Sequence, residues 1–326
     1  MSDPLHDICN EALAGRALTA GKALRLVPLL FLRLPAIIAA AGLVSRPGRF
    51  TCGIINAKSG RCAEDCAFCA QSRHHKANAP VYPLITEAAL LARARELAGR
   101  GVTRMGIVTA GAGLGEKDFA RICASACRIR QEVDIELCAS LGALTPDRAE
   151  KLKEAGFGSY HHNLETARSF YPSICKTHDY QMRCDTVIRA RGAGLRVCSG
   201  GLFGLGESWT QRIELAETLQ ELGVDSIPVN FLMPVPGTRL ESSRVLPAAE
   251  GLGILALLRL MHPDRDIVIC GGRTTTLGSW DRLGLASCAN GMMVGDYLTE
   301  KGGPFERDLA LARDLLDLDR GAYAPR

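Results

Sequence analysis

Aromatic residues are scarce: Phe, Trp and Tyr make up 5% of the chain. So low a content argues against a surface on which nucleic-acid bases stack. A strong excess of one charge is missing as well, since 39 basic and 35 acidic residues leave a net charge of +4. Neither nucleic acid nor an anionic membrane is called for by that balance. Long apolar runs are also lacking. The stretch from Val27 to Val44 is broken by Pro28, Arg33 and Pro35, whereas a spanning helix wants about 20 apolar residues. It is expected to be a buried or docking helix. The opening residues Met1–Asp7 show no basic start followed by an apolar core, so no secretory signal is read there and a cytoplasmic location is expected.

What the chain does have is 13 cysteines. An odd number cannot pair completely within one chain, and spread over 326 residues they are too sparse for a disulfide scaffold. Thiols that stay free in a reducing compartment are available for metal binding or reaction. The length suggests two domains at about 150 residues each, but single α/β barrels reach that size too.

Residues 1–50 read as helical, with Asp3-Pro4 as a start signal and Thr19 as a second cap. Beyond them, β-branched runs alternate with amphipathic segments. The runs are Thr51–Asn56, Val102–Thr109, Val133–Ser140, Ser159–Asn163, Gly194–Ser199, Ser226–Phe231, Asp266–Cys270 and Gly291–Val294. Between them, Ile85–Arg100 places Leu90, Leu91, Ala94 and Leu97 on one helical stripe. Eight strands alternating with helices imply a parallel sheet, and eight is the number that closes a (β/α)8 TIM-type barrel. An open doubly wound sheet is the alternative. The expected division is an N-terminal helical extension (1–50), a barrel (51–316) and a C-terminal tail (317–326). In such a barrel the chemistry sits at the C-terminal ends of the strands.

The strongest local pattern lies just there, after the first strand: Cys62, Cys66 and Cys69 in a C-x3-C-x2-C loop. Three thiolates on one loop suit three irons of a 4Fe–4S cube, leaving the fourth iron open to a small molecule. Zinc would want a second cysteine pair of the C-x2-C kind, which is missing. Simple packing gives no reason for three cysteines within eight residues.

This loop resembles the signature of the radical S-adenosylmethionine (SAM) superfamily. Asn56–Cys62 through Ala70-Gln71-Ser72, His161–Thr166, Val197–Gly201, Gly204–Glu207 and Val229–Leu232 resemble, in order, the biotin synthases. The likeness covers about residues 5 to 315. It implies that Cys62, Cys66 and Cys69 hold a SAM-binding 4Fe–4S cluster, with Phe68 beside the adenine. Asn163 and Glu165 would contact the SAM ribose and substrate, Arg183 the SAM carboxylate, and Asn230 the substrate. Gly200 and Gly201 would let the backbone approach SAM, or merely make the turn. In this family a 5′-deoxyadenosyl radical removes hydrogens from dethiobiotin and sulfur is inserted between the two carbons. The family also implies a small electron-transfer protein of the flavodoxin or ferredoxin type and a homodimer.

The sequence departs from the familiar member at its second cluster. Two of that cluster's three cysteines are matched by Cys138 and Cys198, but the third falls at Gly106 and its arginine at Val268. Cys270 lies two residues past Val268, hence on the same face of a strand. Cys138, Cys198 and Cys270 then resemble a second type of biotin synthase, from anaerobes, with a four-iron auxiliary cluster carrying an extra sulfide. Cys288 is a candidate fourth ligand or a buried thiol, and Cys9, Cys52, Cys123, Cys127, Cys175 and Cys184 read as packing. The rival readings are a radical SAM relative with another substrate, such as a hydrogenase-maturation or methylornithine-forming enzyme, and, from other classes, an iron–sulfur carrier or a zinc-stabilised binding domain.

Overall fold

The structure, a computed structural model, describes residues 4–45, 48–299 and 302–321. Nine strands pair in parallel: β1 (Phe50–Lys58), β2 (Arg104–Thr109), β3 (Glu136–Ser140), β4 (Ser159–His161), β5 (Arg196–Cys198), β6 (Gly201–Phe203), β7 (Ser226–Phe231), β8 (Asp266–Ile269) and β9 (Gly291–Met293). The order is β5-β4-β3-β2-β1-β9-β8-β7-β6, and β5 also pairs β7. That extra pairing closes a (β/α)8 barrel.

β5 and β6 are one barrel strand with a break. Cys198 pairs Ser226 and Gly201 pairs Val229, so the register is the same on both sides. At that register Gly200 stands opposite Pro228. Proline has no N–H to give the ladder and normally avoids central strands. Its ring also leaves no room: a Cβ on Gly200 would lie 2.1 Å from Pro228 O and 2.9 Å from Pro228 Cδ. Gly200 N bonds Asn163 Oδ1 instead, at 3.1 Å, and Gly200 O accepts from Leu164 and Glu165 N. The break thus ties the fifth strand to the segment that follows β4.

The crossover helix expected over Ile85–Arg100 forms where the periodicity predicts it. Glu87–Gly99 buries Leu90, Leu91, Ala94 and Leu97, and the Thr86 side chain caps it by accepting from Ala89 N. Pro146–Ala155 starts behind Thr145, which accepts from Arg148 N. Ser208 and Gln211 make a reciprocal capping box for Trp209–Glu221.

The N-terminal helices Pro4–Leu13, Ala20–Leu26 and Leu34–Leu43 lie against the outer helix layer. Leu34–Leu43 packs on the barrel helix Ala248–Met261, burying Ile37, Ile38, Ala40 and Ala41. Covered on both sides, Ala248–Met261 is buried all round from Gly251 to Met261, as its uniformly apolar sequence requires. Among the described residues no helix is long and apolar enough to cross a membrane. The last helix, Phe305–Gly321, crosses the expected boundary at 316, and residues 322–326 of the expected tail lie outside the described residues.

At the N-terminal end of the barrel four charges form a closed ring. Arg104, Glu136, Arg196 and Asp266 are the first residues of β2, β3, β5 and β8. Arg104 pairs Glu136 at 3.0 Å and Asp266 at 3.7 Å. Arg196 pairs Glu136 at 3.5 Å and Asp266 at 3.2 Å. The Arg104 guanidinium also rests 3.6 Å above the Phe50 ring. Above this floor the lumen is open to side chains from every strand.

Candidate functional site

A cavity of about 530 Å³ runs from the ion-pair floor to the C-terminal ends of the strands. Cys62, Cys66, Cys69 and Phe68 from the loop after β1 line it, with Cys138, Cys198 and Cys270 and with Asn163, Glu165, Arg183 and Asn230. The two predicted thiol groups therefore face one space.

The cysteine loop is shaped by its own backbone. Arg61 takes a positive φ of 53°, and Cys62 N donates to Gln71 O at 2.9 Å while Arg73 N donates to Cys62 O at 2.8 Å. The Gln71 side-chain oxygen accepts from Ser59 Oγ and Gly60 N. Arg239 Nη2 clamps the loop from outside, donating to Asp65 O at 2.8 Å and to Ile174 O at 2.9 Å.

Arg183 is buried and its guanidinium is held on two sides. Nε donates to Tyr171 Oη at 2.6 Å and Nη1 to Asn163 O at 2.8 Å. Nη2 is 4.0 Å from Cys66 Sγ, and Nη1 is 3.6 Å from Glu165 Oε1. A chain of hydrogen bonds continues from Tyr171 Oη to His178 Nε2 at 2.8 Å and from His178 Nδ1 to Glu64 Oε2 at 2.6 Å. The arginine is thus connected back to the cysteine loop.

Glu165 sits at a positive φ of 72°. A non-glycine residue there is uncommon and often marks a functional site. Burial raises its carboxyl pKa against the pull of Arg183. Asn230 lines the cavity, but both ends of its amide bond the barrel: Nδ2 donates to Gly201 O at 3.3 Å and Oδ1 accepts from Gly271 N at 3.1 Å. Gly200 and Gly201 are not among the lining residues. A Cβ on Gly201 would meet Leu215 Cδ2 at 2.7 Å and Glu165 O at 2.8 Å, so close packing within the barrel gives each glycine a reason of its own.

Deeper in the lumen Cys52, expected to pack, lines the cavity with Cys138, Cys198 and Cys270. Its signal was period-two alternation, since Phe50, Cys52 and Ile54 share the inner face of β1. Burial pushes the Cys52 thiol up to about 12 and Cys138 up to about 11. Cys198 is raised by burial and then by the neighbouring Cys138, Cys270 and Cys52. Gly106 lies beside Ile54, where a Cβ would come within 3.1 Å of Ile54 Cγ2. Cys288 is buried outside the cavity, beneath Arg259, which donates to its carbonyl at 2.7 Å; it packs. Cys175, expected to pack, has its Sγ 3.9 Å from Cys66 Sγ.

This donor set fits iron–sulfur clusters. Among the described residues, neither Cys62/Cys66/Cys69 nor the lumen thiols gather within the 4.8 Å that would suit a single ion. Thiolates around a multi-iron cube are necessarily further apart. Burial keeps Cys52, Cys138, Cys198 and Cys270 protonated, and a bound metal's charge would supply what burial removes when they ionise.

Comparison with known proteins agrees with this geometry. Residues 57–219 match the Radical SAM superfamily, and residues 228–315 match the Biotin and Thiamin Synthesis associated domain. A biotin synthase of Nitratidesulfovibrio vulgaris (Hildenborough) is 57% identical over 264 residues, covering 81% of this chain and 73% of that one. A biotin synthase of Trichlorobacter lovleyi is 48% identical over 318 residues, covering 96% and 95%. Among solved structures, a methylornithine synthase superposes with a TM-score of 0.78 at 22% identity, covering 95% of this chain and 96% of its own. The FeFe-hydrogenase maturase HydG of Carboxydothermus hydrogenoformans gives 0.79 at 19%, covering 97% and 78%. At such identity these two speak for the fold alone. Sequence and barrel together settle the family: this chain is a member of the biotin synthases, within the radical SAM superfamily.

Proposed function

We propose that the chain converts dethiobiotin to biotin, and that it does so with two cysteine-held clusters in one barrel. The single observation that carries this reading is the arrangement of Cys62, Cys66 and Cys69 over Cys138, Cys198 and Cys270 in one cavity. When bound, the 4Fe–4S cluster with SAM supplies the radical that takes hydrogens from the substrate, and an auxiliary cluster supplies sulfur.

The protein's own residues do the positioning. Arg183, held by Tyr171 and Asn163 O, presents Nη2 toward the cluster loop, where a planar, permanently charged fork suits a carboxylate. Glu165 lies within reach of that arginine and offers two acceptor oxygens to ribose hydroxyls. Phe68 would stack beside the adenine, and Asn163 and Asn230 would border the substrate. The barrel walls exclude water from a reactive intermediate. Cys138, Cys198 and Cys270 would hold the auxiliary four-iron cluster with its extra sulfide, with Cys52 as a further soft donor on the same wall.

The same reading gives a helical extension at residues 1–50, a barrel at 51–316 and a tail beyond. It also gives a cytoplasmic homodimer reduced by a flavodoxin- or ferredoxin-type protein. The test is iron and sulfide content with Mössbauer spectra, on anaerobically reconstituted wild type and on a Cys62/Cys66/Cys69→Ala triple variant. About four irons retained by the variant, with sulfide in excess, support the two-cluster reading. A variant without iron leaves a one-cluster enzyme with no internal sulfur source.

A further inference from the structure

We propose that Cys66, Cys175 and His178 form a mononuclear site for a thiophilic divalent cation, filled while the cluster is absent, where the first Fe2+ lands before assembly. Their ligand atoms all lie within 4.8 Å of one another, the one such group among the described residues. Cys66 Sγ and Cys175 Sγ are 3.9 Å apart. Two thiolates on one tetrahedral ion, each about 2.3 Å from the metal, stand about 3.8 Å apart. The set is two thiolates and one imidazole, which leaves a tetrahedral ion one position for water. Such a set takes Fe2+, Zn2+ or Co2+ in preference to Mg2+ or Ca2+.

The histidine is already arranged for ligation. His178 Nδ1 and Nε2 lie 3.3 and 4.0 Å from Cys175 Sγ. Ligation through Nε2 exchanges its hydrogen bond with Tyr171 Oη at 2.8 Å for the ion and leaves Nδ1–H donating to Glu64 at 2.6 Å, the carboxylate backing that metal-bound histidines carry. The frame is rigid. Asp65 Oδ1 accepts from Lys176 N at 2.9 Å and from Thr177 N at 3.2 Å, and Ala67 N donates to Ile174 O at 2.8 Å. Both cysteines bind the ion as thiolates, and any proton that a thiol still holds goes to solvent.

Because Cys66 also belongs to the C-x3-C-x2-C loop, it serves the ion or the cluster in turn, never both. An Fe2+ held here is beside the two remaining ligands of the cube. A Zn2+ held here blocks it. This role in assembly rests on the proposed reading of Cys66 as a cluster ligand; the binding itself does not.

The test begins with a Cys62→Ser/Cys69→Ser protein, which keeps all three site ligands but has lost two of the three loop thiols. It is titrated anaerobically with Co2+. One equivalent with a thiolate-to-cobalt charge-transfer band is expected above the constant background of the lumen thiols. Adding Cys175→Ala should remove that equivalent, adding Cys175→Ser should halve the band, and adding His178→Ala should weaken binding at least tenfold. Equal Co2+ uptake and equal band intensity in the folded Cys175→Ser protein would overturn the site. In otherwise wild-type protein, one equivalent of Zn2+ should slow reconstitution by Fe2+ and sulfide, and Cys175→Ser should relieve that inhibition. Equal inhibition of both proteins would overturn the landing role. Neither assay uses SAM or dethiobiotin, so its failure is distinguishable from failure of the biotin-forming reading.

Discussion

Tyr171→Phe removes a single oxygen from a buried side chain, and that oxygen is the partner of Arg183 Nε at 2.6 Å and of His178 Nε2 at 2.8 Å. The phenyl ring still fills the same space. The loss is therefore a loss of hydrogen bonding to a charged, buried guanidinium, worth about 1.5–3 kcal/mol. Arg183 keeps Asn163 O at 2.8 Å but loses the contact that fixes its rotation about that bond. If all of that energy serves the SAM-bound state, SAM affinity falls by about 10- to 150-fold. The assay is SAM binding to the anaerobically reconstituted protein, followed by the change in the cluster's EPR spectrum. Iron content should match wild type, because none of the six predicted cysteine ligands contacts Tyr171 Oη. SAM affinity within twofold of wild type would refute the argument that Tyr171 positions the arginine. Full loss of iron would show instead that the chain from Tyr171 through His178 to Glu64 holds the cysteine loop itself.

Cys62→Ala should abolish SAM cleavage, whereas Cys270→Ala should leave cleavage largely intact and stop sulfur insertion; normal biotin yield from the second variant would remove Cys270 from the auxiliary site. Gly142→Ala forces an alanine to φ +88° with its Cβ 2.4 Å from Ala112 O. Thermal or urea unfolding should show a loss of more than about 2 kcal/mol, and a stability equal to wild type would mean that the Ala112 loop yields freely. His262 is buried, and burial lowers its pKa to about 4. A histidine that is harder to protonate when folded contributes stability that is fully present above the unfolded value of about 6.5 and is lost as pH falls toward 4, up to about 3 kcal/mol. Melts of cluster-free protein at pH 7.5 and 5 should show this decline, and His262→Phe should flatten it.

Periodicity in the sequence reveals the barrel because each strand and helix repeats its own burial pattern. Thr145-Pro146 and Leu90/Leu91/Ala94/Leu97 are local signals, and the structure realises them locally. What local patterns do not carry is the pairing of distant segments. The short strand Gly201–Phe203 was missed because Gly200 opposite Pro228 interrupts the run, and only the register with β7 reveals a continuing strand. The cysteine loop was legible because its three thiols are close in sequence. Cys52 was not, since its partners are strands away and its own neighbours read as an ordinary apolar run. Cys175 was hidden for the same reason: its contact with Cys66 spans 109 residues.

The deep burial of the lumen cysteines has a consequence for the two-cluster reading proposed above. A thiol reacts with oxidants and alkylating agents as its thiolate, and burial holds Cys52 and Cys138 at about 12 and about 11. The four-charge floor beneath them contributes two positive and two negative groups and so offers no net charge to draw out a proton. An emptied barrel is therefore chemically quiet. On the two-cluster reading, Cys52 and Cys138 would stay neutral thiols in the interval between one cluster and the next, and the metal that refilled the site would also ionise them.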